Sequence, residues 1–170
     1  MMRKKKVLMV CLGNSCRSPM AEAVFQDQIR KMDLIDFWEV ESAAILDYHV
    51  GNDPEPRATA TLQKAGITNY SHIARKITID DFYKFDWIFG MDKYIIDILY
   101  EKQPEDSQAK IELLGKYDPS GKQKDSFHKC RAHSRARSSL SRVKCAAIGN
   151  RHGGEWEITL VARFVPRIRL

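Results

Sequence analysis

The sequence has 170 residues, near the size of one domain and long enough to bury a core. Its 28 Lys/Arg against 22 Asp/Glu give a net +6, yet residues 1–120 hold 16 basic and 19 acidic side chains while residues 121–170 hold 12 and 3. The high pI therefore describes the tail alone, the four cysteines lack zinc-ligand spacing or the look of a secreted scaffold, and no stretch is apolar enough to span a membrane.

The first informative run is Val7, Leu8, Met9 and Val10, wholly apolar as a buried central strand of an α/β sheet is. A loop follows, Cys11-Leu-Gly-Asn-Ser-Cys-Arg17, and Ser18-Pro19 reads as a helix start with proline at the first helical position. Ala21, Val24, Phe25, Ile29 and Met32 then recur on one helical face, the spacing of a stripe packed on a sheet. Cys11 and Arg17 are thus expected on a loop between a buried strand and a helix N-terminus. Unpaired amides and the positive end of the helix dipole make such a loop an anion site. The same field favours a thiolate at Cys11, the nucleophilic form. Arg17 can grip two phosphate oxygens with its planar fork. Gly13 lets the backbone turn tightly, Asn14 tolerates a left-handed conformation, and Ser18 can donate to the thiolate. The pattern predicts a phosphate cradle, Leu12, Gly13, Asn14, Ser15, Cys16, Arg17 and Ser18, with Cys11 at its floor.

Further along, Trp38-Glu-Val-Glu-Ser42 alternates as a half-buried strand expected at a sheet edge. Ala43 to Pro56 reads as a loop able to wall the site, with turn signals at Gly51-Asn52 and Asp53-Pro54. A short helix then places Ala58, Leu62 and Ala65 on one face and stops at Gly66. Tyr70 to Ile77 is a linker or short strand, and Thr78-x-x-Asp81 opens a helix like a capping box. Trp87-Ile-Phe89 is another apolar strand, ending at Met91-Asp92, where Asp92 suits a helix N-cap. The next helix carries Ile95, Ile96 and Leu99 and finishes before Pro104; Ile111-Glu-Leu-Leu114 is the last clear strand. The alternation predicts an α/β fold, a doubly wound parallel four-stranded sheet flanked by helices, with ligand at the strand carboxyl ends.

Cys-x5-Arg-Ser-Pro after an apolar strand, as VCLGNSCRSPMAEAVF, resembles the low-molecular-weight protein tyrosine phosphatases. Ser42-Ala43-Ala44, Tyr48, Gly51-Asn52, Pro56-Arg57-Ala58, His72-Ile73-Ala74-Arg75, Phe85-Asp86, Met91-Asp92 and the run from Lys110 to Pro119 follow in family order. The likeness covers about residues 6–119 and implies the phosphotyrosine phosphatase I-like form of the fold. It implies hydrolysis of phosphotyrosine in proteins, and of small aryl phosphates, through a cysteinyl-phosphate, with Cys11 and Arg17 catalytic. Neither metal nor cofactor is implied, and inorganic phosphate or vanadate should bind as product-like ligands. His72, alone a structural hydrogen bonder, is implied to brace the phosphate loop with Asn14, Ser18 and Ser42. Tyr48 either lines the substrate cleft, as the family position does, or packs its own loop. Asp92 is kept both as N-cap and as a residue near the site. Cys16 is implied to form a reversible disulfide with Cys11, against the plainer reading of a small buried side chain.

After Pro119 the likeness breaks off. The family's Asp-Pro-aromatic-aromatic loop, whose aspartate protonates the leaving oxygen, has no counterpart in Ser120-Gly-Lys-Gln-Lys-Asp125-Ser-Phe127. The general acid is left unassigned, with Asp125 the nearest candidate. Residues 120–170 read as a poorly ordered, divergent basic tail, with a β-like stretch at Trp156 to Val165. Its arginines suit a nucleic-acid or anionic-membrane arm, but a non-family C-terminus accounts for them more simply. Two other functions stand beside hydrolysis. One is a phosphate- or phosphoprotein-binding pseudophosphatase; the other, an arsenate reductase, is opposed by the lack of cysteines between Cys16 and Cys130. The apolar run after Met1–Lys6 is about half the length of a signal peptide, so a reducing cytoplasmic compartment is expected.

Overall fold

The computed structural model describes residues 3–117. Strands and helices alternate: β1 (Lys5–Cys11), α1 (Arg17–Lys31), β2 (Trp38–Ala44), α2 (Pro56–Lys64), α3 (Asp81–Lys84), β3 (Trp87–Gly90), α4 (Lys93–Lys102) and β4 (Lys110–Leu113). The four strands form one parallel sheet in the order β2-β1-β3-β4. β1 is interior, and Val7 to Val10 are buried on both faces, which is why that run has no polar alternation. β2 lies at the edge, so Trp38, Val40 and Ser42 point inward while Glu39 and Glu41 stay partly exposed.

The sheet separates two apolar clusters. On one face, Val7, Met9, Trp38, Val40 and Phe89 pack with Val24 and Phe25 of α1 and Leu62 of α2. On the other, Leu8, Val10, Ile88 and Ile111 pack with Phe82 of α3 and Ile95 and Leu99 of α4. This is the doubly wound arrangement. Because β2 and β3 flank β1 on opposite sides, the chain reverses direction at β1, and the crevice there opens at the carboxyl ends of β1 and β3. Cys11 ends β1, and Asp92 follows β3 by two residues.

Some local expectations are corrected. Arg17 is already helical and Cys16 is the cap, so Pro19 stands third in α1, where its missing N–H is still no loss. Met32 and Ala65 each follow the last residue of a helix and are exposed, not packed. β1 and β2 extend beyond the predicted runs to Cys11 and Ala44, and Leu114 opens a short 3-10 turn instead of closing β4. Beside the end of β2, residue 76 bridges Ala44 in parallel: Ala44 N donates to Arg75 O, and Ile77 N to Ala44 O. No described helix is long and apolar enough to cross a membrane. Cys130, Cys145, Asp125 and the basic tail lie outside the described residues.

Candidate active site

The loop from Cys11 to Arg17 carries a chain away from a buried strand end and into a helix. Three of its carbonyls are consumed by the next connection: Cys11 O accepts from Ile45 N, Leu12 O from Leu46 N and Ser15 O from Glu55 N. The segment 45–55 therefore holds the loop from outside, in keeping with the wall expected of it. Within the loop, Asn14 adopts φ of 51°, the left-handed region that asparagine tolerates. Gly13 lies in the bend of the loop, as expected, but without a positive φ. A Cβ there would lie 2.6 Å from the Tyr48 hydroxyl, so the glycine makes room for the Tyr48 ring. Tyr48, about half exposed, thus stands directly over the loop, beside the His49 ring at 4.6 Å.

Cys11 Sγ is buried and receives Asn14 N at 3.3 Å and Ser18 Oγ at 3.0 Å. The direction of the second contact follows from the network behind it. The backbone N of Arg75 donates to Asn14 Oδ1 at 3.0 Å, so that atom is the carbonyl oxygen. The Asn14 amide nitrogen must then face the two serines, donating to Ser18 Oγ and to Ser42 Oγ at 2.9 Å each. Each hydroxyl, having accepted, turns its single proton onward. Ser42 donates to Glu22 Oε2 at 2.5 Å, and Ser18 donates to Cys11 Sγ. Donors aimed at sulfur stabilise its charged form.

His72 completes the brace. Its Nε2 lies 2.8 Å from Asn14 Oδ1 and, facing an oxygen, carries a proton. Its Nδ1 lies 3.3 Å from Glu22 Oε2, which also accepts from Tyr70 at 3.0 Å. Burial raises the Glu22 carboxyl to about 7, against donation from Ser42 and Tyr70, and burial with the Arg75 charge lowers His72 to about 4. Both shifts favour the uncharged form, so the His72 imidazole is neutral at neutral pH while the Glu22 carboxyl takes up its proton as pH falls through about 7. Buried polar atoms left without partners are absent among the described residues, so the network is closed and rigid.

Arg17 opens α1 at the loop's far end. Its Nη1 donates to Asp92 Oδ2 at 2.6 Å, with both side chains largely buried. Asp92 Oδ1 accepts from Ile95 N at 2.9 Å, capping α4. The two readings of Asp92 are thus one: the cap of α4 is what holds the arginine. The structure brings Cys11, Asn14, Arg17, Ser18, Ser42, His72, Asp92 and Tyr48 to one end of the sheet. Asp125 lies outside the described residues.

Glu22, Tyr70 and Arg75 were not singled out from the sequence. Glu22 had a signal: Ser18, Glu22 and Gln26 form an i, i+4, i+8 polar stripe on a helix buried from Ser18 to Phe25. An acid with no solvent face requires partners. The backbone contact of Arg75 had none.

Comparison with known proteins finds relatives over most of the chain. The model of the family described as low molecular weight phosphotyrosine protein phosphatase matches residues 6–130. The pig protein of that name is 49% identical over 117 residues, 68% of this chain and 73% of the relative. The fission yeast one is 43% identical over 122 residues, 71% and 78% of the two chains. Among solved structures, Primo-1 is similar with a TM-score of 0.77 at 36% identity, covering 96% of this chain and 98% of its own. A Drosophila arginine phosphatase, DARP, is similar at 0.77 and 31%, covering 97% and 98%.

Proposed function

This chain belongs to the low molecular weight phosphotyrosine protein phosphatase family, and from that premise we propose how its own residues hydrolyse a phosphomonoester. Cys11 Sγ attacks phosphorus in line, the amides of Leu12 to Ser18 and the Arg17 fork hold the equatorial oxygens, and the P–O bond to the leaving group breaks. Water then attacks the cysteinyl-phosphate, releasing phosphate and returning the thiolate, which Ser18 receives with its proton. The observation that carries this reading is the pair of donors, Asn14 N and Ser18 Oγ, converging on Cys11 at the mouth of a helix that begins with Arg17. Asp92 positions Arg17; Ser42 and His72 hold Asn14; Tyr48 forms one wall for an aromatic ring.

The substrate class rests on the relatives: those 43–49% identical carry the phosphotyrosine phosphatase name. Phosphotyrosine in proteins is the favoured substrate, with inorganic phosphate and vanadate as product-like ligands. An intact cradle beside relatives named as enzymes argues against a binding-only protein. We set the catalytic unit at about residues 6–119, with 120–170 a divergent tail whose start the family match overlaps. A thiolate nucleophile at Cys11 suits a reducing compartment such as the cytoplasm, with Cys16, on the same loop, as the reversible disulfide partner.

No counterpart of the family's acid loop stands in the sequence after Pro119, and the general acid stays unassigned, with Asp125 the nearest candidate. General acid catalysis contributes about 100- to 10,000-fold, and good leaving groups need it least. Turnover of p-nitrophenyl phosphate and of a phosphotyrosine peptide, with Cys11→Ser as control, tests the proposal. We expect both to be hydrolysed, the peptide more slowly relative to a family enzyme, and both to cease in Cys11→Ser. Turnover that survives Cys11→Ser, or hydrolysis of a phosphoarginine peptide in preference to both, would contradict it.

A further inference from the structure

Arg75 lies outside the phosphate loop, yet it touches the loop's key asparagine through its backbone. Its N–H is one of two donors to Asn14 Oδ1, the other being His72 Nε2. That oxygen decides which way the Asn14 amide faces, and hence where Ser18 sends its proton. The Arg75 side chain leaves in the opposite direction and is gripped by two elements. Its fork meets both oxygens of the buried Asp81, at 2.9 and 3.1 Å, and its Nη2 meets Glu41 of β2 at 2.9 Å. Asp81 is itself held by Thr78, accepting from its backbone N at 2.8 Å and its hydroxyl at 3.2 Å. The clamp thus ties the segment carrying the Arg75 amide to α3 on one side and to β2 on the other. Its charge also acts on the brace, being second to burial among the causes that lower His72.

We propose that Arg75 is a positioning residue, clamped by Asp81 and Glu41 so that its amide fixes Asn14 and thereby the Ser18 proton on Cys11. The inference rests on the phosphate loop working as described above. A planar fork is required because a single cation must satisfy two carboxylates on different elements at once; a lysine ammonium offers no such plane. Lys84 supplies an internal control, since it also pairs with Glu41 but makes no hydrogen bond or ion pair to the 74–77 segment.

The test compares Arg75→Met and Lys84→Met in the full chain by two readouts: kcat on p-nitrophenyl phosphate, and alkylation of Cys11 by iodoacetamide at mildly acidic pH. Alkylation reports the thiolate without any turnover, so it separates this inference from the phosphatase reading. Arg75→Met is expected to lower kcat and the alkylation rate about 10- to 100-fold, with KM moving much less. Lys84→Met is expected to leave both rates at the wild-type level. Wild-type rates in Arg75→Met, or equal losses in both variants, would overturn the proposal. Should Arg75→Met not fold, Arg75→Lys replaces it, with an intermediate loss in both readouts expected. A lysine variant indistinguishable from wild type would overturn the proposal equally. If the wild type alkylates fast but turns over nothing, the phosphatase reading fails and the positioning inference stands.

Discussion

Ser18 Oγ sits 3.0 Å from Cys11 Sγ while accepting from Asn14 Nδ2 at 2.9 Å, so its one proton points at sulfur. Hydrogen bonds to charged groups contribute about 1.5–3 kcal/mol, which corresponds to roughly 10- to 100-fold in thiolate population. Ser18→Ala should slow iodoacetamide alkylation at mildly acidic pH by that factor and lower kcat with it. Ser18→Thr, keeping the hydroxyl, should recover most of the loss. An alanine variant that alkylates at the wild-type rate would remove Ser18 from the account.

Asp92 joins Arg17 to the first turn of α4, and the two roles separate by substitution. Asn caps helices as well as Asp does, whereas Ala costs about 1 kcal/mol of stability. Asp92→Asn keeps the cap and should be about 1 kcal/mol more stable than Asp92→Ala, yet lower kcat about tenfold, since the fork loses its anchoring charge. Asp92→Ala should lose both activity and stability. A wild-type kcat in Asp92→Asn would reduce Asp92 to a helix cap.

Gly13 is required by Tyr48, not by its own backbone angles. Gly13→Ala places a Cβ 2.6 Å from the Tyr48 hydroxyl and should push the ring off the loop. The cost to stability should be small, about 0.5 kcal/mol, because the ring is half exposed and can swing. KM for a phosphotyrosine peptide should rise, and Tyr48→Ala should raise it similarly. Combined, the two changes should not add, since both remove one wall. Additive effects measured in the peptide assay would contradict a shared origin.

The Glu22–His72 pair predicts an unusual pH response. Glu22, raised from 4.5 to about 7, keeps in the fold a proton the unfolded chain releases, so its contribution fades as pH rises across that window. His72, lowered from 6.5 to about 4, does the reverse, losing its contribution as pH falls from 6.5 to 4. Between about 4.5 and 6.5 the slopes oppose, and the pair adds little net pH dependence. Glu22→Gln should uncover the histidine, giving stability that drops on acidification. His72→Asn should uncover the acid, giving stability that drops as pH rises toward 7. Urea unfolding of the three proteins across pH checks the signs; parallel profiles would exclude the compensation.

What the sequence disclosed follows physical range. The Val7–Val10 run, the Cys11–Arg17 spacing and the asparagine at 14 are local signals, and each found its place in a buried strand, a loop and a left-handed turn. The edge position of β2 was legible because Glu39 and Glu41 alternate with apolar residues. Burial at helix ends was not, since Met32 and Ala65 fit the periodicity but fall one residue past the last turn. The brace was legible only where the family likeness named its members. Arg75 reaches Asn14 through a backbone N–H, which every residue but proline possesses, so no side-chain pattern could announce it. The Gly13–Tyr48 approach is likewise a tertiary fact, hidden behind a glycine that a tight turn would explain as well.

The most direct test of the central claim is to catch the phosphorylated nucleophile. The protein is mixed with excess p-nitrophenyl phosphate, quenched in acid within the first turnover, digested and analysed by mass spectrometry. The account predicts one phosphate on the peptide containing Cys11, absent from Cys11→Ser and retained for longer when water attack is slowed. Hydrolysis proceeding with that peptide unmodified at every quench time would contradict it.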